Sequence, residues 1–215
     1  MVSKSKEAIL KRIREALVEP TPLPFPQSEG RSSVYKPLAQ DIEVEFAERF
    51  TTLGGKFAFC MDEVQAARQF SQLVEQSIWQ NIYCREPQLC ELLGNGLAVA
   101  NDPAALAVCD VSVTGCEFLV ARTGSIVLSS AQLSGRSTSV YAPVHVCIAY
   151  TSQVVYDIED ALKGVAEKYE ENIPSLITFA TGPSRTADIE KTLVVGVHGP
   201  KEVFVFLIDD TFDNL

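Results

Sequence analysis

Between Leu38 and Ala100 the chain alternates between two hydrophobic periods, and that alternation restricts it to a few architectures. The helical period covers Leu38–Leu53, Asp62–Trp79 and the short run Pro87–Leu93. Between and after them lie three apolar runs of strand length, Lys56–Cys60, Asn81–Cys84 and Leu97–Ala100. Parallel neighbours in a sheet need crossovers, so strand–helix–strand alternation predicts a mostly parallel sheet covered by helices. Gly54-Gly55 is placed to end the first helix and Asp62 to cap the second. Val64, Ala67, Phe70, Leu73, Val74 and Ile78 are expected to form the inward stripe of that second helix.

The pattern then changes. Val108–Val113, Cys116–Ala121, Ser125–Ser129 and Val144–Ala149 read as strands separated by Thr-Gly and Ser-rich turns. A helix is expected over Ile158–Tyr169, a strand over Leu176–Ala180, a helix beginning near Arg185, and a last strand over Val203–Ile208. Ahead of all this, Ser5–Leu17 reads as an amphipathic helix and Glu19–Pro37 as an extended, proline-rich linker. The expected organisation is a helix and linker over 1–37 and an α/β domain over 38–215.

The formal net charge of −10 and a pI near 4.7 argue against nucleic acid as a partner, because duplex binding rests on clustered Lys and Arg. No run approaches the roughly 18 consecutive apolar residues of a membrane span. Lys4, Lys6, Glu7, Lys11, Arg12 and Arg14 interrupt any apolar leader, so a cytoplasmic location is the expectation. Cys60, Cys84, Cys90, Cys109, Cys116 and Cys147 form no Cys-x-x-Cys pair and read as small core residues, not as zinc or iron–sulfur ligands. Neither a Walker A loop, nor Gly-x-Gly-x-x-Gly, nor a Gly-x-Ser-x-Gly elbow is present, and no metal or cofactor is expected.

Three segments could carry chemistry. Thr181-Gly182-Pro183-Ser184-Arg185-Thr186 follows an apolar strand, where α/β sheets present ligands. Gly182 permits a tight turn, Ser184 and Thr186 supply hydroxyls, and Arg185 supplies a charged fork for a carboxylate or phosphate. Equally, Arg185 could pair with Asp188, Glu190 or another carboxylate at a plain helix start. Gly196-Val197-His198-Gly199-Pro200 holds the candidate acid–base or hydrogen-bonding histidine, His198, which could also simply tie down its own loop. Thr123-Gly124-Ser125 could form an amide nest for an anion or be an ordinary turn.

Taken in order, these segments resemble a known family. Val113-Thr114-Gly115-Cys116-Glu117, Ala121–Leu128 and Pro143-Val144-His145 resemble successive blocks of the LUD-domain (lactate-utilization) family. Gly182–Glu190 and Gly196–Pro200 resemble its most specific signature, that of the LutC/YkgG-like branch. The resemblance implies an α/β fold of the NagB/RpiA/CoA-transferase-like class, a mixed sheet flanked by helices, here with an N-terminal helical arm. It implies a role in oxidising L-lactate to pyruvate beside iron–sulfur partner proteins (LutA/LutB-like). The chemistry of the segments themselves, not the resemblance, suggests a small anion held by Thr123, Gly124, Ser125, Gly182, Ser184, Arg185, Thr186 and His198. Arg122 stands where the family pattern leads one to expect an acidic residue. The alternatives are a stand-alone enzyme on a phosphorylated or CoA-linked metabolite, with Asp188 or Glu117 as its base, and a non-catalytic assembly subunit.

Overall fold

The computed structural model describes residues 4–16, 40–94, 99–189 and 192–211. The chain divides into a unit of residues 1–37 and a unit of residues 38–215. In the first, α1 (Lys4–Ala16) carries Ile9, Leu10 and Ile13 on its exposed surface; the proline-rich segment lies outside the described residues.

In the second unit, α2 (Ile42–Thr52), β1 (Lys56–Cys60), α3 (Glu63–Ser77), β2 (Ile82–Cys84), α4 (Pro87–Leu93) and β3 (Val99–Ala100) follow the expected alternation. The expected starts at Leu38 and Leu97 fall outside the described residues. After a 3-10 turn at Pro103–Val108 come β4 (Val111–Thr114), β5 (Phe118–Val120), β6 (Ser125–Ser129), α5 (Thr138–Tyr141), β7 (Val144–Tyr150) and β8 (Val154–Val155). The chain continues through α6 (Ile158–Tyr169), β9 (Ile177–Ala180), β10 (Arg185–Ile189), β11 (Thr192–Val195) and β12 (Glu202–Ile208).

Six strands form a central parallel sheet in the order β1-β12-β7-β4-β2-β3. Its strands read as nearly continuous apolar runs because both faces are covered. On one face Phe70 and Val74 of α3 and Leu89 and Leu93 of α4 pack on Val113, Val146 and Phe206. The Phe70 and Phe206 rings meet edge-on at 6.3 Å. Each such buried side chain contributes about 1.5–3 kcal/mol. The other face receives Phe46 and Phe50 of α2 together with a second sheet, ordered β8-β5-β6-β9 and mixed in direction. Helix α6 covers the outside of that second sheet, where Ala161 meets Val120 and Val127. The fold is therefore α/β with flanking helices, as expected. The strands after β4 do not all extend the first sheet, however: β5, β6, β8 and β9 build a layer of their own.

Local chemistry explains the helix ends. The Asp62 carboxylate accepts from the Gln65 amide at 2.6 Å, capping α3, and α2 closes on Gly54 at φ +89°. Two expectations change. The buried stripe of α3 is Ala66, Phe70 and Val74, spaced by four, whereas Val64 and Ile78 are exposed. No helix opens at Arg185; β10 and β11 form an antiparallel hairpin in which Arg185 pairs with Val195 and Thr186 with Val194. The run Thr192-Leu193-Val194-Val195 favours strand, and a strand facing it outcompetes the capping signals read at Ser184 and Thr186. Among the described residues, no helix is long and apolar enough to cross a membrane.

Candidate functional site

The residues singled out by sequence gather in two neighbouring places. The first is the carboxyl end of α2. Gly124, at φ +61°, packs so closely on it that a Cβ there would lie 2.7 Å from the Phe50 nitrogen. Thr123 and Ser125 share a hydroxyl hydrogen bond of 2.8 Å, and Ser125 and Thr181 another of 2.8 Å. Gly182, at φ +88°, sits over the Leu53 carbonyl, and the Arg185 guanidinium donates to that same carbonyl oxygen. Arg185 thus satisfies one of the carbonyls that a helix end leaves unpaired, on the end of the dipole that attracts a cation.

The second place is the Gly196–Pro200 loop. The Ser184 amide donates to the Pro200 carbonyl and the Gly196 amide to the Ser184 carbonyl, each at 2.9 Å. A Cβ on Gly199 would come within 2.9 Å of the Ser184 Cβ. His198 is exposed and lines a cavity of about 360 Å³ with Tyr141, Pro143 and Lys201. Thr123, Gly124, Ser125, Gly182, Ser184, Arg185 and Thr186 are not in its wall. Arg122 forks onto Asp157, both bonds 2.8 Å, and this hydrogen bonding holds the Asp157 carboxyl below the usual range against the opposing effect of burial.

A larger crevice, about 530 Å³, lies at the carboxyl ends of β2, β4 and β7. Its place follows from topology. The chain leaves β2 toward β3 at the sheet edge and leaves β4 toward β7 in the opposite direction, so the two loops part. Such switch points are where open parallel sheets hold ligands. The volume falls in the range of about 300–1,000 Å³ for small-molecule sites. Glu86, two residues past β2, and Gly115 and Cys116, directly after β4, lie in its wall.

The polar groups around this crevice divide into those already used and those left over. Gln153 is used: its amide nitrogen donates to the Cys116 carbonyl at 2.7 Å and its oxygen accepts from the Tyr150 amide at 2.9 Å. The Gln132 oxygen accepts from the Ser129 amide at 2.9 Å, which orients its Nε2 as a donor. Glu86 Oε1 accepts from the Gly115 amide at 3.0 Å. A Cβ at Gly115 would lie 2.9 Å from Glu86 Oε2, so glycine there makes room for the carboxylate.

Behind the wall lies Glu117. Its side chain is wholly buried and accepts from Lys168 Nζ at 2.7 Å, the Tyr169 hydroxyl at 2.7 Å and the Ser129 hydroxyl at 2.5 Å. Burial acts to raise its pKa, but the hydrogen bonds from Lys168, Ser129 and Tyr169 and the Lys168 charge outweigh that and hold it below the usual range. A buried carboxylate so fully paired is not available as a general base; it positions Lys168 and Tyr169, which line the crevice. Lys168 Nζ donates to Glu117 and lies 5.4 Å from the centroid of the Tyr169 ring, yet its side chain stays exposed enough to meet a ligand.

His145, the other histidine, is buried on β7. Its Nε2 meets Thr114 Oγ1 at 2.8 Å, and desolvation lowers its pKa to about 4, so it is neutral at neutral pH. All six cysteines are free, and five are buried. Among the described residues, no group of three or more His, Cys, Asp or Glu side chains could hold a metal ion. Sequence reasoning missed Glu86, Gln132 and Lys168, which belong to no local motif. Glu86 alone carried a signal, its place in the short link between a strand ending at Cys84 and a helix opening at Pro87.

Comparison with known proteins agrees with this architecture. Residues 103–208 match the model of the LUD domain family. A 100-residue stretch, 46% of this chain and 42% of the relative, is 37% identical to an uncharacterized protein of Neisseria meningitidis. Over 103 residues, 47% of this chain and 44% of the relative, it is 36% identical to lactate utilization protein C 1 of Bacillus mycoides. The chain spans about half the length of the curated relatives it matches. The crystal structure of a DUF162 family protein from Deinococcus radiodurans has a similar fold, with a TM-score of 0.62 and 21% identity, covering 80% of this chain and 99% of that one. Residues 103–208, which contain β4 to β12, are thus assigned to the LUD-domain family.

Proposed function

We propose that this protein is a component of a lactate-utilization system, working in the cytoplasm beside iron–sulfur partner proteins and holding a small carboxylate in the crevice at the ends of β2, β4 and β7. The relatives named lactate utilization protein C support the setting. The observation that carries the binding role is the crevice itself, which lies at the switch point and has Lys168 and the Gln132 amide in its wall. An ammonium beside an amide donor suits a carboxylate. The iron–sulfur chemistry would reside in the partners, since five of the six cysteines are buried and no group of ligands gathers among the described residues. Thermal shift with L-lactate and pyruvate tests the binding role. Ligand at 100 times its dissociation constant adds about 2.7 kcal/mol, and Lys168→Ala should abolish that gain. Absence of any shift with both compounds would remove the binding role. Co-purification from cells expressing candidate iron–sulfur partners tests the assembly role separately.

A second reading places the anion among Thr123, Gly124, Ser125, Gly182, Ser184, Arg185, Thr186 and His198. The favouring observation is the hydroxyl chain Thr123–Ser125–Thr181, which leads to the Ser184 contacts with the His198 loop. On that reading Arg185→Ala, not Lys168→Ala, removes the shift.

A further inference from the structure

The crevice carries an acceptor as well as donors, and that pairing bears on which carboxylate it takes. Glu86 Oε1 is fixed by the Gly115 amide, while Oε2 makes no hydrogen bond to any described residue. A carboxylate held this way offers lone pairs and no proton. Beside it, a hydroxyl group donates a charge-assisted hydrogen bond, whereas a ketone oxygen brings only a second set of lone pairs. We infer that the β2/β4/β7 crevice discriminates between oxidation states of its ligand, binding a 2-hydroxy acid through Lys168 and Gln132 at the carboxylate and Glu86 at the hydroxyl, and disfavouring the matching 2-oxo acid. This inference rests on the binding role proposed above and adds a specificity-determining residue to it.

The arrangement predicts the effect of one substitution. In Glu86→Gln the amide oxygen keeps the bond from Gly115, which turns the amide nitrogen toward the place of Oε2. An acceptor becomes a donor without change of shape, so the ketone gains a partner and the hydroxyl keeps an acceptor only by turning away. Discrimination of this kind comes from leaving a polar group unpaired against the wrong ligand.

Calorimetric titration with L-lactate and with pyruvate, on the full chain and on Glu86→Gln and Lys168→Ala, tests it. The expected result is L-lactate bound at least about tenfold more tightly than pyruvate, the size of one charged hydrogen bond. Glu86→Gln should bring that ratio to about one or invert it, and Lys168→Ala should weaken both ligands alike. Equal affinities in the wild type, or a ratio unchanged by Glu86→Gln, overturn the discrimination while leaving the binding role standing. Binding of neither compound overturns both. A thermal melt of Glu86→Gln close to that of the wild type shows that the comparison is between folded proteins.

Discussion

The Glu117 carboxylate, wholly buried, and the Lys168 ammonium, whose side chain is 57% exposed, meet at 2.7 Å, so a single ion pair joins the core to the crevice wall. Glu117 comes from the turn between β4 and β5, and Lys168 from the last turn of α6. The pair therefore ties the second sheet's outer helix to the turn that leaves the central sheet at β4, next to the place where a ligand would lie.

Replacing Glu117 with Gln removes the charge that three donors converge on. Hydrogen bonds to charged groups contribute about 1.5–3 kcal/mol, and exposure of Lys168 reduces its share. The expected loss is about 1–3 kcal/mol, a drop of several degrees in a domain of this size. The pH dependence has a definite sign. The folded carboxyl titrates below its ordinary value of 4.5, so the stabilisation is complete above that pH and is lost as pH falls through the folded pKa. Melting curves of wild type and Glu117→Gln should differ most near neutrality and converge in acid.

His145 supplies a second acid-sensitive element in a higher window. Its folded pKa, about 4, lies below the ordinary 6.5 because burial disfavours the charged ring. Between those values the unfolded chain binds a proton that the folded chain does not, so stability falls as pH drops from 6.5 toward 4. A shift of this size corresponds to about 3 kcal/mol. His145→Gln, which can keep a hydrogen bond to Thr114, should flatten the stability slope in that window whatever its effect at neutral pH.

How far the sequence shows all this depends on whether the determinants are local. The strands β1, β2, β7 and β12 are legible as apolar runs of strand length, and the helices α3 and α6 by their own period, α3 also by its cap at Asp62. Gly124 and Gly182 stand out as glycines, and both have the positive φ that favours them. What they serve is not legible. They make room for α2, whose last turn lies against them, and no pattern within 123–125 or 181–186 encodes a helix 70 or more residues earlier in the chain. The hairpin at Arg185 was obscured for a related reason, since its strand identity comes from the facing run 192–195. The crevice is less legible still, because Glu86, Gln132 and Lys168 meet only through the strand order.

Gly124→Ala tests the packing of that turn against α2. The new Cβ would lie 2.7 Å from the Phe50 nitrogen and 2.9 Å from the Arg49 carbonyl carbon, both backbone atoms, at a φ of +61°. Left-handed backbone costs about 1–2 kcal/mol for a residue with a Cβ, and crowding a packed region adds about 1–3. A loss of about 2–4 kcal/mol is expected by chemical denaturation. An Ala variant as stable as the wild type would show that α2 can shift away from the turn.

Arg122 occupies the place where the family resemblance led to an acidic residue, and the structure gives it a definite partner. Its two bonds to Asp157 are both 2.8 Å, and the two side chains are only 19% and 22% exposed. Arg122→Glu would set two carboxylates against each other just ahead of α6, with an expected loss of about 1–3 kcal/mol. The sign again follows from the titration. Asp157 lies below its ordinary value of 3.8, chiefly through the Arg122 hydrogen bond, so the pair stabilises above that pH and ceases to do so as Asp157 protonates. The variant should therefore be weakest near neutrality and approach the wild type in acid. Exchanging the partners in R122E/D157R restores one positive and one negative charge, and recovery of most of the lost stability is the expected result of that double substitution. Failure to recover would assign the role of Arg122 to a group other than Asp157, and with it the reason this chain carries a cation there.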